Sequence, residues 1–305
     1  MGDGFAALEG LEVLSFWGGR SVLVTGATGV VGSWLVKELL AEGASVTALV
    51  LDPEPKSEFY RSGDSERTNV VLGRLQDLST LERAINRHET DTVFHLGAQA
   101  IVGAAERAPL DTFESNIRGT YNLLEACRLM QGLVERIVVA SSDKAYGAQK
   151  HLPYTETMSL DGRQPYEVSK SCADLIAQSY HHTYRLPVTV ARCGNIFGGG
   201  DLNWSRIVPG TVRSLVHKER PVIRSDGRFT RDYIYVKDVV RAYMRLAERS
   251  DEEGVLGESF NFGPEEPRTV LDIVAAIQRA MGDHPLEPII LDTARGEIRD
   301  QYLSS

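Results

Sequence analysis

Residues 21–35 read SVLVTGATGVVGSWL, and this stretch decides the fold of the chain. Its first five residues are mostly apolar or β-branched, which is typical of a buried strand. Apolar residues recur at helical spacing after Val30, so we expect a strand, a tight glycine turn and a helix. Gly26, Gly29 and Gly32 allow a tight turn that a pyrophosphate can approach closely, and the helix N-terminus presents free amides. The stretch therefore predicts a dinucleotide-binding turn.

Apolar runs and helical patterns alternate from the first half of the chain up to Cys193. Continuous apolar strands separated by helices are typical of a parallel sheet with helices on both faces. We therefore predict an α/β fold with a Rossmann-type, doubly wound parallel sheet. The predicted strands are Ser21–Thr25, Ser45–Leu51, Asn69–Leu72, Thr92–Leu96, Arg136–Ala140 and Val188–Ala191. The predicted helices are Val30–Ala41, Leu81–Arg87 with a capping box over Ser79–Glu82, Thr112–Met130 and Tyr166–Arg185.

The pattern changes after Cys193, where a glycine-rich loop leads into shorter elements. These are predicted as a helix over 204–218, an extended piece over 221–224, strands over 231–236 and 259–262, and helices ending at 248 and spanning 270–281. We predict two coupled domains. Residues 1–193, with returns near 233–262, form the cofactor-binding Rossmann domain. Residues 194–232 and 263–305 form a smaller mixed α/β domain that binds the substrate.

Acidic residues follow two predicted strands at the edge where open α/β sheets bind ligands. Asp52 follows the second strand and lies 20 residues beyond Gly32. A carboxylate there accepts hydrogen bonds from an adenosine ribose and repels a 2′-phosphate, which predicts NAD rather than NADP. A plain turn residue is the alternative. Asp77 either meets the adenine amino group or caps the next helix, and His95 is expected to be a core residue rather than a metal ligand.

A second set of residues carries the predicted chemistry. Tyr166 and Lys170 are four residues apart on a predicted helix, so both project from one face. An ammonium beside a phenol lowers the pKa of the phenol, which would make Tyr166 a base near neutral pH. The fifth predicted strand ends in SSDKAYG over 141–147. We expect Ser142 to hydrogen-bond the reacting oxygen and Asp143 to act as general acid, with a simple polar turn as the alternative.

Together these motifs resemble the extended short-chain dehydrogenases/reductases, and within them the NAD-dependent nucleotide-sugar epimerase/dehydratase family. The resemblance runs from residue 16 to about residue 282. It implies that Ser142, Tyr166 and Lys170 form an oxidoreductase triad, that NAD is the cofactor and that the substrate is a nucleotide sugar. The cofactor contacts that it implies are Gly26, Thr28, Gly29, Val30, Val31, Gly32, Asp52, Asp77, Leu78, Leu96, Ala98, Gln99, Asn116, Tyr166 and Lys170.

The residue after Ser142 separates the branches of that family. Epimerases usually carry a small residue there, whereas dehydratases carry an acid that donates a proton to the departing C6 hydroxyl. Asp143 thus implies a nucleotide-sugar 4,6-dehydratase, and the pair Asp143-Lys144 looks most like the enzymes that act on CDP-glucose. Lys144 either tunes Asp143 by charge pairing or, if burial depresses its pKa, takes the C5 proton. A 4-epimerase and a non-catalytic dinucleotide-binding scaffold are the alternatives, although a scaffold has no need of the triad.

The resemblance also implies residues at the substrate end of the site. Asn195 looks like the residue that contacts the pyrophosphate, and Arg206 and Arg231 lie in stretches similar to the family's diphosphate-gripping region. Arginine suits this role because its planar guanidinium meets phosphate oxygens bidentately. Arg299 is expected near the nucleotide. A CDP-hexose is the favoured substrate on the strength of the branch alone.

Composition bounds the remaining expectations. The 305 residues are 42% hydrophobic and 25% charged, with a formal net charge of −9 and no basic block, so nucleic acid is not an expected partner. Cys127, Cys172 and Cys193 lack metal-ligand spacing, which predicts free thiols and no metal site. No apolar run approaches the roughly 20 residues of a membrane helix, and residues 1–10 lack the basic start of a signal peptide. We expect a cytoplasmic homodimer, with helices 112–130 and 166–185 as its surface by analogy with the family.

Overall fold

The computed structural model describes residues 15–282, 286–294 and 296–305, so the prediction about a signal peptide in residues 1–10 lies outside the described residues. The strands are β1 Ser21–Thr25, β2 Ser45–Val50, β3 Asn69–Leu72, β4 Thr92–His95, β5 Arg136–Ala140, β6 Val188–Cys193, β7 Asn195–Phe197, β8 Val222–Ile223, β9 Thr230–Arg231, β10 Tyr233–Tyr235, β11 Ser259–Phe262, β12 Arg268–Thr269, β13 Ile289–Ile290 and β14 Asp300–Gln301. The α-helices are α1 Val30–Ala41, α2 Glu58–Arg61, α3 Leu78–Arg87, α4 Val102–Arg107, α5 Pro109–Phe113, α6 Gly119–Leu129, α7 Pro165–Tyr184, α8 Ile207–Val216, α9 Val236–Glu248 and α10 Val270–Ala280. A π-helical segment spans Glu114–Arg118, and 3₁₀ turns span Asp64–Arg67 and Asp143–Tyr146.

Seven strands form one sheet in the order β11-β6-β5-β4-β1-β2-β3, and each neighbouring pair is parallel. The predicted doubly wound parallel sheet is therefore confirmed. The chain runs from β1 outward to β3 on one side and from β4 outward to β6 on the other. The order thus reverses between β1 and β4, and the crevice beyond the carboxyl ends of these two strands is the ligand-binding position in open α/β sheets.

Apolar side chains cover both faces of this sheet. On one face, α1 and α9 pack through residues that include Leu35, Val36, Val240 and Tyr243, together with Trp17. On the other face, α3, α6 and α7 pack through residues that include Leu81, Ile85, Leu123, Leu124 and Ala177. Burial of apolar surface on both faces is the main stabilising term for such a sheet, and it leaves the carboxyl edge free to carry polar residues.

The remaining strands form three small sheets from the later part of the chain. Strands β7 and β10 pair in parallel, β9 lies between β12 and β14, and β8 pairs with β13. These pairings bring residues 195–235 next to residues 268–301. The division into a cofactor-binding and a substrate-binding domain stays a prediction.

Several predicted elements differ from the observed ones, among them the helix predicted over 204–218, which spans Ile207–Val216. Helix α3 begins at Leu78, because the side chain of Asp77 caps it by accepting from the Thr80 amide at 3.3 Å, so the predicted capping box over 79–82 is wrong. The helix predicted over 112–130 contains the π-helical segment. The strand predicted over 231–236 is confirmed only in part: β10 spans Tyr233–Tyr235, whereas Arg231 belongs to β9, which joins a different sheet.

The described residues also bear on membranes and metals. Within those ranges, the helices lack the combination of length and apolar character needed to cross a bilayer. Nor does that part of the chain bring three or more His, Cys, Asp or Glu side chains together as a metal site. The three cysteines are free thiols, of which Cys127 and Cys193 are buried and Cys172 is half-buried.

Candidate active site

The glycine turn lies between the end of β1 and the start of α1, at the crevice where the strand order reverses. Gly26 has a φ of +75°, and a Cβ there would lie 2.8 Å from the Gly97 nitrogen. A Cβ on Gly32 would lie 2.1 Å from the Gly26 carbonyl oxygen. Gly26 therefore allows the turn to pack closely against the loop after β4, and Gly32 allows α1 to pack closely against the turn.

The same turn leaves the amino end of α1 open to a ligand. The N-cap residue Gly29 is exposed and supplies no side-chain cap, and the first turn holds no acidic side chain. The first amides of a helix, here those of Val30, Val31 and Gly32, have no partner within the helix. Amides and helix dipole together favour an anion at this end. The residues present thus fit the pyrophosphate of a dinucleotide.

Replacing Gly32 with alanine is expected to destabilise the protein, because the added methyl group meets backbone rather than a flexible side chain. Overpacking of this kind costs about 1–3 kcal/mol of unfolding free energy, and the shifted helix end should weaken NAD binding as well. Urea unfolding and calorimetric titration with NAD measure the two effects. Gly132→Ala is the matched control, because a Cβ at Gly132 has no atom of the described ranges within 4 Å. Equal behaviour of the two variants would contradict the packing role.

Asn116 connects the loop after β4 to helix α7. Its Oδ1 accepts from the Gln99 amide at 2.7 Å, and its Nδ2 donates to the Gln99 carbonyl oxygen at 3.1 Å and to Ser169 Oγ at 2.9 Å. The side chain is buried within the π-helical segment. In this structure Asn116 therefore acts as a bridge that fixes Gln99 against the residue preceding Lys170.

The other predicted cofactor residues surround the same crevice. Asp52 is exposed just beyond β2, where a ribose would be expected. The carboxylate of Asp77 accepts from Ser79 Oγ at 2.8 Å and from Thr80 Oγ1 at 2.6 Å, and these bonds lower its pKa. Asp77 thus serves as the helix cap that the sequence left open as an alternative. The partly buried members of the set include Thr28, Val30, Val31, Leu78, Leu96, Ala98 and Gln99.

His95 is a satisfied core residue, as expected. Its Nδ1 lies 2.9 Å from Thr25 Oγ1, and its Nε2 lies 2.9 Å from Thr120 Oγ1. Burial lowers the pKa of His95 to about 3, and the nearby charge of Lys170 acts in the same direction. The ring is therefore neutral near pH 7. Through Thr120 it holds the end of β4 against α6.

Ser142 and Asp143 lie where β5 ends in a 3₁₀ turn. Ser142 Oγ accepts from the Lys144 amide at 3.2 Å and donates to Asp143 Oδ1 at 3.0 Å. Asp143 is 2% exposed, and its Oδ2 has no hydrogen-bond partner among the described residues. A buried carboxyl oxygen without a partner is costly. This oxygen therefore fits a hydroxyl group that a substrate would supply.

Tyr166 lies in the first turn of α7, whose start is fixed by a capping box between Gln164 and Glu167. Burial raises the pKa of Tyr166 to about 12, and the negative charge of Asp143 adds to this rise. Positive Arg206 and a hydrogen bond with Ser142 act in the opposite direction. The structure thus brings Tyr166, Ser142 and Asp143 together at one point of the carboxyl edge.

Lys170 lies one turn further along α7, but it does not have the expected effect on Tyr166. Its Nζ donates to the Ala140 carbonyl oxygen at 2.7 Å, and burial lowers the pKa of Lys170 to about 8. The expectation that Lys170 lowers the pKa of Tyr166 is wrong in this structure. Solvent exclusion and the Asp143 carboxylate outweigh any favourable charge, and the ammonium is directed to the backbone of β5.

Lys144 reaches a residue that the sequence did not single out. Its Nζ donates to Gln301 Oε1 on β14. Desolvation lowers the pKa of Lys144, Arg231 lowers it further, and Asp143, Glu167 and Glu297 oppose this effect. Burial thus lowers the pKa of Lys144, which is the condition under which we expected its amine to take a proton from carbon.

The predicted substrate residues have different surroundings. Asn195 opens β7, and its Nδ2 is buried without a hydrogen-bond partner among the described residues. Arg206 donates to Asp201 at 3.0 Å and lies near enough to Tyr166 to favour its phenolate. Arg231, by contrast, donates to the carbonyl oxygens of Thr230, Ile298 and Arg299, so its guanidinium holds the chain before β14. Arg299 itself is exposed.

A buried ion pair supports the loop after β5. Arg192 contacts both carboxylate oxygens of Asp174, at 2.8 and 2.9 Å, and also donates to the Tyr146 hydroxyl at 2.9 Å. Both charged side chains are almost completely buried. Breaking such a pair leaves an uncompensated buried charge. No local sequence signal predicts this pair, because Asp174 lies 18 residues from Arg192.

A parallel sheet with a glycine turn at its reversal point, and a Ser-Tyr-Lys set at the same edge, define the short-chain dehydrogenase/reductase class. The model of the NAD dependent epimerase/dehydratase family matches residues 22–263. The chain belongs to this family, and its cofactor is accordingly NAD.

Individual relatives agree with this assignment. The chain is 32% identical over 283 residues to the CDP-glucose 4,6-dehydratase of Salmonella typhimurium, with 88% of this chain and 78% of that enzyme covered. The dTDP-glucose 4,6-dehydratase of Bacillus anthracis, solved in complex with NAD, superposes with a TM-score of 0.82 at 25% identity, covering 94% and 88% of the two chains. The UDP-glucose 4-epimerase of Thermotoga maritima gives a TM-score of 0.82 at 27% identity, covering 93% and 90%.

Proposed function

We propose that this chain is a nucleotide-sugar 4,6-dehydratase, which converts a nucleotide hexose to its 4-keto-6-deoxy form. The observation that carries the proposal is Asp143, a buried acid beside Ser142 whose Oδ2 has no partner in the part of the chain that the structure describes. An acid at this position suits the departure of a C6 hydroxyl as water. The similarity to enzymes named 4,6-dehydratases supports the same reading.

The residues divide the chemistry at C4 and C6 among them. When bound, NAD supplies the oxidant for C4 and a positive charge that favours the Tyr166 phenolate. Tyr166 takes the proton of the C4 hydroxyl, while Ser142 hydrogen-bonds the same oxygen. The resulting 4-ketone acidifies the proton at C5. Asp143, in its acid form, donates a proton to the C6 oxygen, which leaves as water.

Lys144 is the group that we assign to the C5 proton. Its pKa is lowered by burial, so its amine is available at lower pH than that of an exposed lysine. After water has left, the Lys144 ammonium returns the proton to C5, and the hydride removed from C4, which bound NAD would give back, is added at C6. No net redox change therefore remains. Asp143 stabilises the ammonium between these two steps.

Cofactor and substrate are assigned to the two sides of this centre. The glycine turn and the first amides of α1 hold the pyrophosphate of NAD, and exposed Asp52 meets the adenosine ribose. Asn195 and Arg206 are assigned to the substrate diphosphate, because Asn195 offers a buried donor without a partner among the described residues and Arg206 offers a positive charge that acts on Tyr166. A CDP-hexose is the favoured substrate, since the Asp143-Lys144 pair looks most like the CDP-glucose branch.

A nucleotide-sugar 4-epimerase is the competing function, because the Ser142, Tyr166 and Lys170 set would serve it equally and a solved 4-epimerase superposes well. Incubating CDP-glucose, dTDP-glucose and UDP-glucose separately with the NAD-loaded protein separates the two. A dehydratase yields a product that has lost one water molecule, whereas an epimerase yields an isomer of unchanged mass. Unchanged mass in all three incubations, with epimer formed in one, would overturn the proposal.

We also infer a cytoplasmic homodimer. Free thiols suit a reducing compartment. The proposed dimer surface, helices α6 and α7, exposes large apolar side chains that include Leu129, Leu175 and Tyr184, each about half exposed. Exposed apolar residues that recur on two adjacent helices favour burial against a second copy.

Replacing Leu175 with glutamate is expected to convert the dimer to a monomer at micromolar concentration, because the interface would have to bury an unpaired charge. Sedimentation velocity measures the change. Val216→Glu is the matched control, since Val216 is similarly exposed but lies on α8, outside the proposed surface. A Leu175→Glu protein that sediments as the parent does would place the dimer contact elsewhere.

A further inference from the structure

Gln301 is a polar residue with no solvent exposure, and it lies 157 positions along the chain from its partner Lys144. Its Oε1 accepts from the Lys144 Nζ. Its Nε2 is buried and has no hydrogen-bond partner within the described ranges. Burying an amide NH₂ group without a hydrogen-bond partner costs free energy, so its presence here calls for an explanation.

The position of Gln301 is fixed independently of Lys144. Strand β14 pairs in parallel with β9, which sets Gln301 opposite Arg231. On one side of Gln301, the Arg231 guanidinium holds the carbonyl oxygens of Ile298 and Arg299. On the other side, the Leu303 amide donates to Asp232 Oδ2 at 2.8 Å. The amide of Gln301 is therefore preorganised, and the longer, more flexible Lys144 side chain adapts to it.

The charges around Lys144 explain why its hydrogen-bond partner is an uncharged amide rather than another carboxylate. Among the described residues, the carboxylates of Asp143 on its own turn, Glu167 on α7 and Glu297 before β14 act on its charge and raise its pKa. Arg231 on β9 and the exclusion of solvent oppose them. A fourth carboxylate at the position of Gln301 would hold Lys144 as an ammonium.

An amide can serve both protonation states of Lys144. Its oxygen accepts from an ammonium, and its NH₂ group, after rotation of the amide by half a turn, donates to the lone pair of a neutral amine. The buried Nε2 of Gln301 is available for this second contact. A partner of this kind suits a lysine that takes a proton from carbon and later gives it back.

We propose that Gln301 is a positioning residue that holds the Lys144 amine at the substrate in both its charged and its neutral form. The proposal rests on the proposed function, because it deepens the role assigned there to Lys144. In the reaction, the C5–H bond breaks and its proton forms an N–H bond on Lys144. The electron pair left at C5 expels the C6 hydroxyl, which takes a proton from Asp143 and leaves as water.

The first test reads Lys144 without requiring turnover. Competitive labelling of lysine amines over a range of pH, followed by peptide mass spectrometry, reports the titration of Lys144, with exposed Lys150 as internal reference. Gln301→Glu is expected to raise the pKa of Lys144, because it adds the fourth carboxylate. At a pH below the pKa of Lys144, its labelling rate should fall about tenfold for each unit by which the pKa rises. Gln131→Glu adds the same charge at an exposed, remote position and should leave Lys144 unchanged.

The second test uses Gln301→Leu, which removes the hydrogen bond without adding charge. Its rate of water loss should fall at least roughly tenfold, while single-turnover oxidation at C4 and the KM for substrate stay near the parent values. Equal loss of oxidation and water loss would show a merely structural role and overturn the proposal. This variant keeps the proposal testable should the glutamate variant fail to fold.

The labelling experiment distinguishes a failure of the role proposed for Gln301 from a failure of the proposed function. An unchanged Lys144 titration in folded Gln301→Glu, with normal dehydration by the parent protein, overturns the role of Gln301 alone. No dehydration by the parent protein with any nucleotide hexose overturns the proposed function, and with it the catalytic role of Lys144.

Discussion

A Tyr166→Phe variant is expected to lose turnover almost completely while it keeps NAD binding nearly intact. Removing a general base lowers the rate by about 10²- to 10⁴-fold, and phenylalanine retains the ring that packs at the start of α7. Tyr166 is the phenol that shares a hydrogen bond with Ser142 and lies within the influence of Asp143 and Arg206. Its hydroxyl is therefore the group placed to exchange a proton with a substrate oxygen.

The measurement is single-turnover appearance of the reduced nicotinamide absorbance with saturating nucleotide hexose, together with calorimetric titration of NAD. Tyr233→Phe is the matched control, because Tyr233 is a partly buried tyrosine on β10 to which we assign no proton transfer. A Tyr166→Phe protein with the parent's turnover would remove the base assignment. Loss of NAD binding in parallel with turnover would point to a structural role instead.

An Asp143→Asn variant is expected to slow water loss by about 10²- to 10⁴-fold and to slow oxidation at C4 far less. Asparagine keeps an oxygen that can accept from Ser142 Oγ, so the 3₁₀ turn should be preserved. It cannot donate the acidic proton that the C6 hydroxyl needs. An ionised Asp143 raises the pKa of Tyr166, and neither its acid form nor asparagine carries that charge, so the substitution does not hinder the first step.

Rapid-mixing absorbance and quenched-flow mass analysis distinguish the two steps in this variant. We expect the reduced nicotinamide signal to appear and persist, since the oxidised sugar waits for elimination. A collapse of that signal while water loss survives would show that the acid role is wrong. Asp161→Asn, an exposed aspartate in the loop before α7, is the control for loss of one carboxylate.

The local sequence pattern was sufficient to predict the strands, helices and glycine turn that position the site. The strand, turn and helix over residues 21–41 have the predicted bounds, because apolar periodicity and glycine positions are properties of the segment itself. The parallel sheet followed from the alternation of such segments. The start of α3 was misplaced because Asp77, Ser79 and Thr80 are all capping residue types, and the fold selects Asp77.

Properties that depend on distant partners could not be predicted in the same way. The spacing of Tyr166 and Lys170 correctly places both on α7, but the pKa of Tyr166 depends on burial and on Asp143, which come from another element. Arg231 resembled a diphosphate ligand, yet its guanidinium contacts backbone 67 and 68 residues away. Gln301 had no local signal at all, because it acquires its partner only when β14 joins β9.

The most direct test of the central claim follows one hydrogen atom. The parent protein, loaded with NAD, is incubated with CDP-glucose carrying deuterium at C4, and the product is examined by mass spectrometry and proton NMR. The account predicts a 4-keto product that has lost one water molecule and carries the deuterium in its C6 methyl group. An intact hexose that is inverted at C4, with deuterium retained on C4, would contradict it.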